Sequence, residues 1–184
     1  NNKGQLGQST NGVNNTYKDM QTPDRVLKGE YDTGNADDRY IKNVDALSAG
    51  ENFSVVTTRD RNVYAWGDNT FGQLGGGTTA AKLVTPVAIT GPNGKVMTNV
   101  KSVSVTDNSV LVLTNDGFVY GFGEMFVYNS RKIAQIPNLT GVAQISGMYA
   151  RTTGGMVWRI DESGSPQKVS IKKNNSDVSA VKIV

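Results

Sequence analysis

The chain has 184 residues and a modest net charge of +3, from 19 basic and 16 acidic side chains. It contains no histidine and no cysteine, which excludes a Ser-His-Asp triad, a cysteine nucleophile, disulfides and the common zinc sites. It has no run of 18 apolar residues, so we expect no transmembrane helix. This composition argues against an enzyme and favours a binding protein.

The first 42 residues begin with a motif that returns later in the chain. Gly4-Gln5-Leu6-Gly7 recurs as Gly72-Gln73-Leu74-Gly75, 68 positions further on. A repeat period of several tens of residues is typical of solenoids and propellers. We therefore predict that residues 1–42 hold the end of one repeat, with a strand near Arg25-Val26-Leu27, and then a loop.

The loop after that strand carries an oxygen-rich cluster, made of Asp32, Asn35, Asp37 and Asp38. Calcium prefers oxygen ligands, but the spacing of this cluster does not match an EF-hand loop. A solvated acidic loop is the alternative that we favour. The sequence therefore predicts no metal site and no cofactor.

The middle of the chain holds two copies of one repeat unit. Residues 48–67 align without a gap to residues 104–123, with Phe122 in place of Trp66. A third, shorter copy follows, and a fourth begins at the C-terminal end. We place the boundaries of these segments at residues 1–42, 43–98, 99–140, 141–176 and 177–184.

The second copy shows the strand pattern of the repeat. Val100–Val105 alternates apolar and polar residues, as a half-buried strand does. Ser109–Leu113 is an apolar run that we expect to be buried on both faces. An Asn-Asp-Gly turn joins it to Phe118–Phe122, which predicts a hairpin.

A last strand closes each unit, and we predict these strands at Pro86–Ile89, Lys132–Ile136 and Pro166–Ile171. Proline is tolerated at the first residue of a strand because no ladder hydrogen bond is needed there. Four antiparallel strands per repeat are typical of a β-propeller blade. We therefore predict an all-β fold. Because three whole units fall below the usual minimum of about four blades, we predict that residues 1–184 are one incomplete arc of about three to four blades of a larger propeller.

The sequence Trp66-Gly67-Asp68-Asn69, followed by Gly72-Gln73-Leu74-Gly75, resembles the signature of the regulator of chromosome condensation repeat family. The resemblance implies propellers, typically of about seven blades, and the composition favours a bacterial-type member. We expect the motif residues to be structural. Its glycines allow positive backbone angles or close approach, Trp66 and Leu74 supply apolar area between blades, and Gln73 satisfies loop backbone groups.

Aromatic and basic residues in divergent loops are our candidates for partner contacts. They are Phe126, Tyr128, Arg131 and Tyr149. Tyrosine and arginine are favoured at binding hot spots, and loops on a rigid scaffold are where propellers bind. The alternative is that these aromatic side chains pack beneath their own loops.

We therefore expect a non-catalytic, protein-binding β-propeller module that is part of a larger surface or secreted protein. Its expected partner is another protein or the remaining blades of the propeller, and we expect neither nucleic acid nor a membrane span. The resemblance leaves two alternatives open. One is a secreted propeller-type inhibitor of β-lactamases, and the other is a guanine-nucleotide exchange factor or chromatin-binding regulator in the cytoplasm or nucleus.

Overall fold

Three four-stranded antiparallel sheets make up the fold, and each has its strands in sequence order. The structure is a computed structural model. It describes residues 2–7, 25–27, 40–75, 80–129, 133–170, 172–173 and 176–177. The observed architecture confirms the predicted all-β fold of propeller-like sheets.

Each sheet comprises four consecutive strands and is named here by its order along the chain. Sheet 1 contains β1 (Val44–Ala49), β2 (Phe53–Thr58), β3 (Val63–Asp68) and β4 (Lys82–Ala88). Sheet 2 contains β5 (Val100–Thr106), β6 (Ser109–Thr114), β7 (Val119–Gly123) and β8 (Ala134–Gln135). Sheet 3 contains β9 (Val142–Ser146), β10 (Tyr149–Thr152), β11 (Val157–Ile160) and β12 (Pro166–Val169).

Two smaller elements complete the described structure. A kinked 3₁₀ helix, Glu124–Asn129, follows β7. The two-residue strands β13 (Lys172–Lys173) and β14 (Ser176–Asp177) pair as a short hairpin. The strand predicted in residues 177–184 lies outside the described residues after Asp177. No helix in the described part of the chain has the length and apolarity needed to cross a bilayer.

The predicted central strand of sheet 2 is confirmed, because all six residues of β6 are buried. This burial follows from its position between β5 and β7 and between sheets 1 and 3. Strand alternation sends Val110 and Val112 towards sheet 1, and Leu111 and Leu113 towards sheet 3.

The prediction that a strand begins at Pro86 was wrong. Strand β4 begins at Lys82, so the proline lies inside the strand. The pairing of β3 with β4 is irregular here, since Ala65 pairs with Val87 but Gly67 pairs with Leu83. A bulge of this kind on the last strand of a sheet tolerates a residue that lacks an amide hydrogen.

The other two predicted last strands are shorter than expected. Strand β12 begins at Pro166, as predicted, and ends at Val169. Strand β8 contains only Ala134–Gln135, and Lys132 lies outside the described residues. Pairing with the preceding strand, which the sequence pattern does not show, sets both lengths.

Apolar cores join the sheets face to face. Phe122 of sheet 2 packs with Phe53 and Val55 of sheet 1, and all three side chains are at most 1% exposed. Leu113 and Ile160, each 0% exposed, belong to the core between sheets 2 and 3. An equivalent backbone hydrogen bond links each pair of neighbouring sheets. Val100 N–H donates to Arg61 O, and Val142 N–H donates to Gly117 O. Successive sheets therefore stack in one repeating way.

Candidate binding surfaces

The first surface is an apolar face of sheet 1 that points away from sheet 2. It consists of Val44, Leu47, Val56 and Trp66, and we call it the open face. Leu47 is 76% exposed and Val44 is 39% exposed. The four side chains help to line a cleft of about 310 Å³. Val56 and Trp66 are only 6% and 4% exposed, and Gln5 bonds to Trp66, so the exposed part of the open face is Leu47 and Val44. No described sheet covers these two side chains.

The same face of sheet 2 is covered. Register identifies the equivalents, since Leu47 pairs with Val56 in sheet 1 and Val103 pairs with Val112 in sheet 2. Val103 is partly buried against the core that sheet 1 supplies. Val100, the equivalent of Val44, is only 1% exposed. The open face therefore has the composition of a surface that is buried elsewhere in the same molecule.

The Gly-Gln-Leu-Gly motif forms the same turn in both of its copies. The amide of Gly7 donates to the carbonyl of Gly4 at 3.0 Å, and the amide of Gly75 donates to that of Gly72 at 3.1 Å. In both turns the glutamine side-chain oxygen accepts a backbone amide two residues earlier, at 3.1 Å for Gln5 and 2.9 Å for Gln73. The hydrogen bonds that shape the turn itself are thus local, because they join residues two or three apart.

The two copies differ in how their leucines are covered. Leu74 is 0% exposed in the core between sheets 1 and 2, whereas Leu6 is 37% exposed. The first copy is held on sheet 1 by Gln5, whose carbonyl accepts from Trp66 Nε1 at 2.8 Å and from Ser54 Oγ at 3.1 Å. The first copy of the motif therefore contacts Trp66, but its leucine, Leu6, stays partly exposed.

A polar cluster at Asp68 fixes the ends of these turns to sheet 1. The Asp68 carboxylate accepts from Lys3 Nζ at 3.1 Å, from Thr70 Oγ1 at 2.8 Å and from Gln73 Nε2 at 3.2 Å. Beside it, Asn69 is fully buried. Its side chain accepts a hydrogen bond from the amide of Leu74 and donates one to the carbonyl of Ala80. The sequence reasoning gave Asn69 no role, although an asparagine beside a glycine-rich turn is a signal for such a bond.

The predicted contact residues do not form one surface. Phe126 is 3% exposed and packs in the core between sheets 2 and 3, with its ring close to Gly121. Phe126 therefore packs beneath its own loop, as the alternative interpretation expected, and its ring is not exposed to a partner. The side chain of Tyr128 and all of Arg131 lie outside the described structure.

Tyr149 belongs to a second, polar surface on the side of sheet 3 that faces away from sheet 2. It is 43% exposed and pairs across the strands with Arg159. We call Tyr149, Arg151 and Arg159 the far face. The corresponding positions of sheet 2 are Leu111, Leu113 and Gly121, on the face that packs against sheet 3. Sequence reasoning missed the two arginines because their shared face depends on strand register.

Sheet 3 lacks the Gly-Gln-Leu-Gly motif and closes its corresponding turn with Asp161. The carboxylate of Asp161 accepts from Ser163 Oγ at 2.6 Å, from the amide of Ser165 at 3.0 Å and from Gln167 Nε2 at 3.0 Å. These bonds favour the charged form, and the Ser163 hydroxyl has the largest effect. Together they lower the pKa of Asp161 from 3.8 to about 2.

The described residues hold no group of three or more histidine, cysteine, aspartate or glutamate side chains that is placed to bind a metal ion. The acidic loop at Asp32 to Asp38, where calcium was the alternative interpretation, lies outside the described residues. The two candidate surfaces consist of apolar area, tyrosine and arginine.

Comparison with known structures supports this architecture. Human WBSCR16 matches with a TM-score of 0.58 and 18% identity, over 71% of this chain and 39% of that protein. Prp20p from Saccharomyces cerevisiae, described with its binding to Gsp1p and histones, matches with a TM-score of 0.55 and 18% identity. That match covers 72% of this chain and 39% of Prp20p. The aligned part of this chain thus spans about two fifths of either protein.

The repeat sequence itself is recognised by family profiles. Two profiles with the description "Regulator of chromosome condensation (RCC1) repeat" match residues 44–73 and 60–113. These residues cover sheet 1 and the first half of sheet 2, where the motif and the gapless repeat occur. Residues 44–113 therefore carry repeats of the RCC1 β-propeller family, and the three sheets have the fold of propeller blades.

Proposed function

We propose that this chain is a non-catalytic, protein-binding propeller module, and that its open face binds a further blade from the same protein or from another one. The observation that carries the proposal is the exposure of Leu47, 76%, on a face whose equivalent in sheet 2 is buried. Covering such apolar area is favourable by about 25 cal/mol per Å². An exposed apolar patch of this kind marks an interaction site.

The chemistry of the occupant follows from the interface that already exists between sheets 1 and 2. There the covering surface is apolar and contains Val55, Val63 and Ala65, all 0% exposed. A second copy of this chain, docking through its far face, would present Tyr149, Arg151 and Arg159 instead. Those side chains do not match an apolar face, so the occupant is a blade with a valine- and alanine-rich side.

The matched structures support a protein-binding role in general terms. Prp20p is described with Gsp1p and histones, and a second structure shows it bound to Kap60. Those partners belong to Prp20p, and the inhibitor and exchange-factor functions stay predictions of the family resemblance for this chain. The absence of cysteine and the abundance of glycine support a surface or secreted, bacterial-type protein. Fractionation of the source cells tests that location.

Intact mass and light scattering of the protein isolated from its source test the proposed function. We expect a polypeptide clearly heavier than 19.7 kDa, or a second chain that travels with it. A stable monomer of 19.7 kDa would overturn the proposal. A matched pair of variants locates the interface. Leu47→Asp should weaken the assembly, whereas Val96→Asp, at a residue 47% exposed outside the open face, should leave it intact.

A further inference from the structure

A second cleft, of about 270 Å³, lies at one corner of sheet 1. Its wall contains two tyrosine rings and five other hydrogen-bonding side chains, one of which is Lys42, and we call it the Thr58 cleft. The residues that define it are Tyr40, Asn43, Thr58, Asp60, Asn62 and Tyr64. It shares Ile41 with the apolar cleft beside the open face, but its wall is polar.

The hydroxyl of Thr58 is buried without a hydrogen-bond partner in the described structure. The residue is 6% exposed. The equivalent hydroxyls of the other two sheets are satisfied. The Thr114 hydroxyl lies within hydrogen-bond distance of the Asp116 carboxylate and of Phe118 O, and the Thr152 hydroxyl bonds the backbone of Met156. A buried polar group without a partner is rare in proteins and calls for an explanation.

Two neighbouring side chains of sheet 1 also lack hydrogen bonds that their equivalents in sheet 2 form. In sheet 2, Asn115 Nδ2 donates to Asn99 Oδ1 at 3.0 Å. Sheet 1 has Arg59 in place of Asn115, so Asn43, the equivalent of Asn99, lacks this bond. Asp60 likewise does not accept from Thr58, although its equivalent Asp116 accepts from Thr114. Sheet 1 keeps the backbone bond of this corner, from Arg59 N–H to Asn43 O at 2.8 Å, but it lacks the side-chain bonds that sheet 2 has there.

We propose that the Thr58 cleft binds a neutral sugar residue. A hydroxyl, a carboxylate and two amides can pair with adjacent sugar hydroxyls, and a tyrosine ring can cover the apolar face of the sugar. Lys42 and Asp60 both line the cleft, so its two charged side chains have opposite signs and together favour neither an anion nor a cation.

Saturation-transfer NMR of the full chain with D-glucose, D-galactose, D-mannose and N-acetyl-D-glucosamine tests this site. We expect transfer to at least one sugar, with shifts in the amide signals of residues 58–62. Thr58→Val should weaken binding about tenfold by removing one hydrogen bond, and Asp60→Asn should weaken it as well. Thr114→Val, the matched change in sheet 2, should leave sugar binding unchanged.

Two results would overturn the proposal, namely no transfer to any of the four sugars, or equal binding by the wild-type, Thr58→Val and Asp60→Asn chains. Both variants are expected to fold, because Thr58→Val removes an unsatisfied hydroxyl and Asp60 is exposed. Leu47→Asp separates this site from the proposed protein interface, since it should weaken the assembly without changing sugar binding.

Discussion

Sheets 1 and 2 share one sequence pattern and one strand register, yet their surfaces differ. Val44 is 39% exposed and its equivalent Val100 is 1% exposed, although both begin the first strand of a blade. Sheet 2 lies between two other sheets, and sheet 1 has a described neighbour on one side. Burial in this fold is therefore decided by the neighbouring blade, and an apolar residue left exposed marks where a neighbour belongs.

The largest expected effect is the loss of unfolding free energy when an apolar side chain is removed between two sheets, compared with the same kind of change on the open face. Phe122→Ala should destabilise the chain by about 3–5 kcal/mol, because the ring is fully buried between two sheets. Leu47→Ala on the open face should change the unfolding free energy by less than about 0.5 kcal/mol. Urea denaturation measures both. Equal costs would show that the open face is already covered in solution.

A second pair of substitutions should give equal effects in the two sheets. Gly67 and Gly123 have φ values of 109° and 100°, and a Cβ would lie 2.5 Å from Asn52 O or 2.2 Å from Asn108 O. Because both clashes arise within one sheet, each change to alanine should cost about 2–4 kcal/mol. Gly94→Ala is the control for backbone angle alone, at φ 73° with open space around it, and should cost about 1 kcal/mol.

Thermal or urea unfolding can compare the two sheets at that glycine position. If Gly67→Ala costs much less than Gly123→Ala, the equivalence of the two sheets breaks down at this position. If Gly94→Ala costs as much as either, the backbone angle rather than the clash explains the effect.

The two threonine corners should respond differently to removal of a hydroxyl. Thr114→Val loses bonds to Asp116 and Phe118 and should cost about 1 kcal/mol. Thr58→Val loses no described bond and should be neutral or slightly stabilising, since an unsatisfied buried hydroxyl is removed. Differential scanning calorimetry measures both. A loss at Thr58 equal to that at Thr114 would mean that the Thr58 hydroxyl has a partner in solution.

The smallest effect concerns sheet 3, where an aspartate turn replaces the motif of sheet 1. Because the folded pKa of Asp161 is about 2 and its ordinary value is 3.8, its stabilisation is present above pH 3.8. It is lost as the pH falls towards 2. NMR titration should give a midpoint near 2, and Ser163→Ala should raise it towards 3.8. A midpoint of 3.8 in the unmodified chain would contradict the turn geometry.

The sequence predicted the strands because their causes are local. The strand at Val100–Val105 and the Asn-Asp-Gly turn depend on neighbouring residues, and both appear in the structure at their expected places. The predicted alternation is interrupted by a register shift between Val100 and Ser102. The shape of the Gly-Gln-Leu-Gly turn is equally local, since the two hydrogen bonds that close it join residues two or three apart. Boundaries of the last strands were less accurate, because pairing with another strand sets them.

The amino-acid sequence by itself determined the repeat, the all-β blades and the family motif, since period, turn residues and strand alternation are properties of short segments. Only the tertiary structure decided which face of each strand is covered. It buried Phe126 beneath its loop, exposed Leu47, placed Tyr149 beside Arg159 and left the Thr58 hydroxyl without a hydrogen-bond partner. These outcomes depend on the packing of one sheet on the next, where residues far apart in the chain supply or withhold the contacts.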